Sequence, residues 1–330
     1  MSAAAIAVLG GGAWATALAI AIARHAPVSL WIRDPAVAAG LEAQRENRRY
    51  LPGAQLPPRI QITSTLDDAV AGADLALFAA PVAALANVLG ALSDLPPRPL
   101  IWACKGLDAA GRFPHAIAAA QLPPQVARGV LSGPSFAREV AAGQPAALTL
   151  AAADLSFARH AARCIGDRLL RVYPSDDVIG VEVGGAVKNV LAIAAGVCDG
   201  LELGANARAA VITRGLAEIM RLGAALGARR ETLMGLSGVG DLILTCTGDL
   251  SRNRQVGLRL ARGETIEVIL GNLGHVAEGV ATARALAAMA QAHAVEMPIS
   301  AAVAAILFAH LSPRDAVAGL LARDVQGEFT

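Results

Sequence analysis

The amino-acid sequence predicts an α/β protein, with an N-terminal doubly wound domain over residues 1–177 and an all-α domain over residues 178–330. Short apolar runs alternate with helical stretches through the first half, at Ile6 to Leu9, Val28 to Ile32, Leu75 to Ala79, Leu100 to Ala103, Val130 to Leu131 and Ala147 to Ala151. This is the pattern of strands covered on both faces by helices. Beyond about Gly180 strand signals nearly vanish. Long Ala-rich and Leu-rich segments follow, broken by glycine clusters at Gly184 to Gly185, Gly235 to Gly240 and Gly271 to Gly274, so the second domain reads as helical. The composition is 55% hydrophobic and only 3% aromatic, so the core is built from Ala, Val, Leu and Ile, which suits helices packed on a parallel sheet. A chain of 330 residues exceeds the usual single domain, and two domains sharing a cleft are the expected arrangement. The turn sequence Tyr173-Pro174-Ser175-Asp176 marks the boundary, because helices seldom continue into a proline.

Several function classes fit badly. A formal charge of +1 with interspersed acidic and basic residues leaves no electrostatic footprint for nucleic acid or an anionic membrane, so an anionic partner must be held by a local site. Cys104, Cys164, Cys198 and Cys246 lie far apart in sequence, without the close pairs of zinc or redox motifs, and read as small buried hydrophobes in a reducing cytoplasm. No metal is expected. The uncharged stretch from Ala3 to Ala23 imitates a membrane span or signal peptide. It has no Lys or Arg ahead of it and is interrupted by three glycines, so a buried strand, turn and helix explain it better than membrane insertion.

Gly10-Gly11-Gly12-Ala13-Trp14-Ala15 follows the first strand and opens a helix, giving the G-x-G-x-x-A dinucleotide fingerprint of a Rossmann-type domain. Gly10 permits the tight turn and Gly12 lets a pyrophosphate approach the chain. Ala15 allows close helix packing, and the helix N-terminus offers unpaired N–H groups to the anion. About 20 residues on, where an acidic residue reads the ribose hydroxyls, the sequence has Arg33-Asp34. Arg33 suits a 2′-phosphate and Asp34 repels one, so NAD or NADP is the expected cofactor, with NADPH acceptance suggested by Arg33. A solvated surface arginine is the alternative.

Ligands of open parallel sheets sit beyond the carboxyl ends of strands, which singles out Lys105-Gly106-Leu107 and Ser132-Gly133-Pro134-Ser135. Lys105 and Lys188 are the only lysines among 28 basic residues. Where any cation would serve, this sequence writes arginine, so its lysines occupy places arginine cannot fill. A desolvated lysine can lose its proton and an arginine effectively cannot. Lys188 sits in Val181 to Ala192, an almost wholly apolar helix with Gly184, Gly185, Leu191 and Ala192 as helical neighbours. Burial there lowers its pKa toward the range of a general acid and base; the competing reading is a lysine snorkelling to solvent. Asp241, in the flexible turn Gly238-Val239-Gly240-Asp241-Leu242, could orient Lys188. Ser251-Arg252-Asn253-Arg254 places a cap hydroxyl, an amide and guanidinium groups at a helix N-terminus, which suits a phosphate or carboxylate equally with an ordinary Ser cap.

Taken together these segments resemble the NAD(P)-dependent glycerol-3-phosphate dehydrogenase family, over essentially the whole chain. The resemblance rests on Arg45-Glu46-Asn47-Arg48-Arg49-Tyr50-Leu51-Pro52-Gly53, Lys105-Gly106-Leu107, Gly133-Pro134-Ser135-Phe136-Ala137, Ala186-Val187-Lys188-Asn189-Val190, Ile212-Thr213-Arg214-Gly215-Leu216 and Ser251-Arg252-Asn253-Arg254. It implies that Lys188 is the acid/base with Asp241 as partner, and that Lys105, Gly133, Ser135, Asp241, Ser251, Arg252 and Asn253 meet the substrate; Asn189, next to Lys188, is expected to bind substrate with them. Cofactor contacts are implied for Gly10, Gly12, Trp14, Arg33, Lys105, Ala137, Arg252, Val276 and Glu278. The implied reaction interconverts glycerol 3-phosphate and dihydroxyacetone phosphate, in a cytoplasmic homodimer serving phospholipid synthesis. Ala13 and Ala15 depart from the family's usual Ser and Gly, Pro81-Val82 replaces a common Pro-Ser, and Gly248 stands where Ser is frequent. Two rival readings are another two-domain dehydrogenase acting on a hydroxy or sugar acid, and a non-catalytic dinucleotide-binding redox sensor.

Overall fold

A computed structural model describes residues 4–273 and 277–324. The chain forms two compact units, Met1–Cys104 with Pro114–Val178, and Lys105–Phe113 with Ile179–Thr330. The sequence division put residues 105–113 in the first domain. They go with the second because Leu107 and Phe113 are buried in the core of the helical unit.

The first unit runs β1 (Ile6–Leu9), α1 (Ala13–Ile22), β2 (Val28–Trp31), α2 (Pro35–Gln44), β3 (Ile60–Thr63), α3 (Leu66–Val70), β4 (Leu75–Phe78), α4 (Leu85–Ser93), β5 (Leu100–Trp102), α5 (Pro114–Gln121), β6 (Arg128–Ser132), α6 (Ala137–Ala141), β7 (Ala146–Ala152), α7 (Leu155–Ile165) and β8 (Leu170–Ser175). The eight strands form one sheet in the order β3-β2-β1-β4-β5-β6-β7-β8. Only the β6–β7 pairing is antiparallel. Six of the strands coincide with the apolar runs of the sequence. The other two, β3 and β8, are the sheet's edges, where half of each strand meets solvent and the residues need not be uniformly apolar. This also corrects the boundary turn. Tyr173, Pro174 and Ser175 pair with Thr149, Leu150 and Ala151 as the end of β8, and an edge strand tolerates a proline that a central one would not. The segment that imitates a membrane span is β1 and α1, which contribute Ile6, Val8, Ala15 and Ala17 to Ile22 to this core, joined by a half-buried glycine turn.

Helix boundaries follow local chemistry. Asp34 accepts from the Ala36 and Val37 N–H groups at the start of α2, with Pro35 in the first turn, and Asp154 caps α7 in the same way. The second unit comprises α8 (Val178–Gly200), α9 (Gly204–Leu226), α10 (Arg230–Leu233), a π-helical turn Leu236–Gly240, α11 (Asp241–Thr247), α12 (Arg252–Ala261), α13 (Ile266–Leu273), α14 (Glu278–Ala292), α15 (Pro298–Phe308) and α16 (Pro313–Leu321). By length and composition α8 could cross a membrane, but every residue from Gly180 to Cys198 is buried inside the unit, as befits a central core helix.

Gly184 and Gly185 do not break α8. A Cβ on Gly184 would overlap the Ser237 carbonyl, so this glycine is a packing surface, not a helix end. Further along, a Cβ on Gly196 would overlap the Arg254 carbonyl, and one on Gly257 the Ile193 carbonyl. These two glycines bring the backbones of α8 and α12 into direct contact. Gly196→Ala is therefore expected to cost about 3 kcal/mol by overpacking. Gly90→Ala, at an exposed helical position with nothing within 4 Å of the added methyl, gains about 0.5–1 kcal/mol. Urea denaturation of the two variants checks the contrast in sign.

Candidate active site

In the first unit the chain reverses direction across the sheet between β1 and β4, and the fingerprint turn lies just beyond β1. Gly10 has φ +143°, and a Cβ there would come within 3.1 Å of the Ala79 backbone that follows β4. Only glycine permits this approach. Gly12 is the N-cap of α1 without a side-chain hydrogen bond, and a Cβ at Gly12 would meet nothing within 4 Å. The first N–H groups of a helix have no intrahelical partner, and here they stand beside a backbone with open space where a Gly12 side chain would be, which fits a pyrophosphate. Trp14 packs its ring on the core of this unit while its indole N–H is buried without a partner. Arg33 is exposed just past β2. Asp34, also exposed, caps α2 through its Oδ1, which accepts from the Ala36 and Val37 N–H groups. Ala137 opens α6, which packs against α1. Gly133 and Ser135 follow β6, with the Ser135 hydroxyl donating to the Gly133 carbonyl at 3.0 Å.

The second unit holds the charged cluster. Lys188, on α8, is 6% exposed, and Asp241, the first residue of α11, is 1% exposed. Lys188 Nζ donates to Asp241 Oδ1 at 2.7 Å and to Thr245 Oγ1 at 2.8 Å. Lys105 Nζ donates to the other carboxylate oxygen, Oδ2, at 2.7 Å. One carboxylate therefore serves two ammonium groups. Burial lowers the Lys188 pKa to about 8; the Asp241 charge opposes this shift and the Lys105 charge reinforces it. For Asp241 burial pushes the other way, but the adjacent charges of Lys105 and Lys188 outweigh it and hold the carboxyl below its usual range. The snorkelling alternative for Lys188 is excluded by its burial.

Thr245 was not legible as a site residue, although its position one helical turn after Asp241 could have drawn attention to it. Its hydroxyl donates to the Asp241 carbonyl at 2.6 Å, which leaves its lone pairs for Lys188. The turn before Asp241 is not flexible either. It is a π-helical turn whose Ser237 and Gly238 are buried against neighbouring backbone, so the carboxylate is aimed by packed main chain.

An amide relay starts beside Lys188, at Asn189 on α8, and runs through α12 to α14. Asn253 Nδ2 donates to Asn189 Oδ1 at 2.9 Å, and the Gly279 N–H donates to Asn253 Oδ1 at 3.1 Å. Ser251 caps α12 through the Arg254 N–H, as the sequence suggested. The two arginines beside it differ. Arg254 is bound to Asp199 and Asp249, whereas Arg252 is exposed at the first turn of the helix. Glu278 opens α14, and its charge raises the pKa of Lys188 slightly. Val276 lies outside the described residues. Burial pushes the Cys246 thiol up to about 12 and the Cys198 thiol up to about 11, and raises that of the half-buried Cys164 as well.

Family comparison agrees with this geometry. The model for the NAD-dependent glycerol-3-phosphate dehydrogenase N-terminus matches residues 5–158, and that for its C-terminus matches residues 177–318. The chain belongs to this family. It is 55% identical to a glycerol-3-phosphate dehydrogenase [NAD(P)+] of Dechloromonas aromatica over 98% of this chain and 99% of the relative. An enzyme of the same name from Aromatoleum aromaticum is also 55% identical over the same shares. Among solved structures, the glycerol-3-phosphate dehydrogenase of Coxiella burnetii superimposes with a TM-score of 0.93 at 41% identity, over 97% of this chain and 99% of that one. Membership makes the chain an NAD(P)-dependent oxidoreductase and sets aside both rival readings.

Asp241→Asn should expose the energetics of the cluster. Removing the shared counterion leaves two ammonium groups in a buried site, and the expected loss is about 3–5 kcal/mol at pH 7. The loss shrinks as the pH is raised toward about 8 and levels off above it, because without Asp241 the buried Lys188 sheds its charge at a lower pH than the wild-type lysine does. Chemical denaturation across that range measures both effects.

Proposed function

We propose that the chain catalyses reversible hydride transfer between NAD(P)H and dihydroxyacetone phosphate, giving sn-glycerol 3-phosphate. One observation carries the chemistry: a buried lysine with a pKa near 8, held by a carboxylate and a hydroxyl. Such a group gives and takes a proton near neutral pH, which carbonyl reduction and alcohol oxidation both require. The names of the relatives supply the substrate pair.

The bound nicotinamide supplies or accepts the hydride at its C4. Lys188 donates a proton to the substrate oxygen in reduction and removes it in oxidation. Asp241 and Thr245 fix the ammonium so that its third N–H is free for the substrate. Lys105 and Lys188 present two ammonium groups to the one Asp241 carboxylate, which favours a developing alkoxide and an anionic substrate, with the Glu278 charge acting in the opposite sense. Asn189, Asn253, Ser251 and Arg252, with Lys105, Gly133 and Ser135, bind glycerol phosphate, and Arg252 is the guanidinium left uncommitted for the phosphate. Anchoring the phosphate away from the reacting carbon turns binding energy into orientation of that carbon. Gly10, Gly12, Trp14, Arg33, Ala137, Val276 and Glu278, with Lys105 and Arg252, hold the dinucleotide. Asp34 Oδ1 faces the N–H groups of α2 and exposed Arg33 is the cation offered to a 2′-phosphate, so NADPH is accepted as well as NADH. Four free cysteines suit a reducing cytoplasm. By resemblance the enzyme is a homodimer that supplies glycerol 3-phosphate for phospholipids.

Purified protein is expected to oxidise NADH or NADPH with dihydroxyacetone phosphate. Lys188→Ala and Lys188→Arg should both lose turnover while still binding cofactor, since arginine keeps the charge but cannot release the proton; substantial activity in Lys188→Arg would move proton transfer elsewhere. The pH dependence has a definite sign. Reduction needs the protonated lysine, so its kcat falls as pH rises through about 8, whereas oxidation needs the neutral amine and rises through the same range. Arg33→Ala should lower kcat/KM for NADPH by roughly tenfold, the loss of one charged phosphate contact, with little change for NADH. An unchanged ratio between the two cofactors excludes that role.

A further inference from the structure

Asn47 lies in the segment between α2 and β3 and belongs to none of the groups assigned above. It is 1% exposed, and every polar atom of its side chain is used. Its Nδ2 donates to the Gly11 carbonyl at 3.0 Å and to Thr16 Oγ1 at 2.8 Å. Its Oδ1 accepts from the Tyr50 N–H at 3.2 Å. The amide orientation is fixed by these partners, because a carbonyl can only accept and an N–H can only donate. Thr16 extends the chain: its hydroxyl donates to the Gly12 carbonyl at 2.9 Å. One buried amide thus pins the carbonyls of two successive fingerprint glycines, the first directly and the second through Thr16.

We propose that Asn47 is a positioning residue for the cofactor's pyrophosphate, acting through the peptide planes of Gly11 and Gly12. In a planar trans peptide the C=O of one residue and the N–H of the next point in opposite directions. Drawing the Gly11 and Gly12 carbonyls toward Asn47 and Thr16 therefore turns the N–H groups of Gly12 and Ala13 the other way. The place a Gly12 side chain would occupy is empty, with nothing within 4 Å, so an anion can come up to this backbone. N–H groups held in place before the anion arrives need no reordering on binding. Anchoring of the loop does not explain the two donated bonds. Leu51 and Leu56 already bury that segment in the core, the Leu51 N–H bonds the Asn47 carbonyl at 2.8 Å, and Glu46 bridges to Gln55. The donors of Asn47 reach outside the loop, to the fingerprint alone.

This inference rests on the use of a dinucleotide by the first unit. Asn47→Asp is nearly isosteric and keeps the acceptor but replaces the donor with an oxygen that repels the Gly11 carbonyl. NADH affinity, read by fluorescence titration, should weaken by about tenfold, and KM for NADH should rise in parallel. Meanwhile kcat at saturating cofactor and KM for dihydroxyacetone phosphate should stay within about twofold of wild type. ADP, which carries the pyrophosphate, should lose affinity in the same proportion as NADH, while adenosine competes as well as before. Thr16→Val, which removes only the second arm, should give the same pattern more weakly, and it carries the test if Asn47→Asp does not fold. Unchanged NADH and ADP affinity in a folded variant overturns the proposal, as does an equal loss for adenosine or a fall in kcat with cofactor affinity retained. Failure of the proposed reaction would look different: wild-type protein would bind NADH without turning over the triose phosphate, and the affinity comparison would still report on Asn47.

Discussion

Two ammonium groups share one buried carboxylate in the helical unit, and much of the surrounding packing serves to hold them there. Burying a lysine costs free energy that a single shared counterion offsets only in part, and the balance appears as the lowered pKa of Lys188. Asp241 accepts from both lysines through its two oxygens. It thereby stays ionised and places two N–H donors of different pliancy beside each other. A site with this charge balance has two ways to relax, releasing the Lys188 proton or admitting an anion. Both are steps of the proposed reaction.

Close backbone approach makes the arrangement possible. Gly184, one turn before Lys188 on α8, lies against the Ser237 backbone and so admits the π-helical turn that delivers Asp241. Gly106 has φ +124°, and a Cβ there would come within 2.7 Å of Thr282 Oγ1, so the residue after Lys105 must be glycine. Gly279 brings the start of α14 to the α8 backbone, where a Cβ would be 2.6 Å from the Asn189 carbonyl. The helical unit is therefore rigid where the chemistry lies, and the precision of the cluster derives from packing of main chain against main chain.

The sequence was legible where one residue type has one physical use. The G-x-G-x-x-A turn, the alternation of apolar runs and helices, and the scarcity of lysine each pointed to a single structure, and the central strands and the Lys188 helix lie where they were expected. Legibility failed where context decides. β3 and β8 are edge strands with polar or proline-containing sequences, so periodicity alone did not separate them from turns. Gly184 and Gly238 read as breaks or hinges because a glycine required for close packing looks the same in sequence as one required for freedom. Thr245 and Asn47 are ordinary polar residues whose roles arise only from what they touch, and Arg252 and Arg254 diverge because Asp199 and Asp249 capture only the second.

The central claim is that Lys188 is the titrating group near neutrality and that Asp241 holds it. The chain's only two lysines make it directly observable: in protein labelled at lysine Cε with carbon-13, two side-chain signals are followed by NMR across pH, and Lys188→Arg assigns them. The Lys188 signal is expected to titrate at about pH 8 in the wild type and at a lower pH in Asp241→Asn. A Lys188 signal that titrates at the ordinary value of about 10.4, or one that is unmoved by loss of Asp241, would contradict the claim.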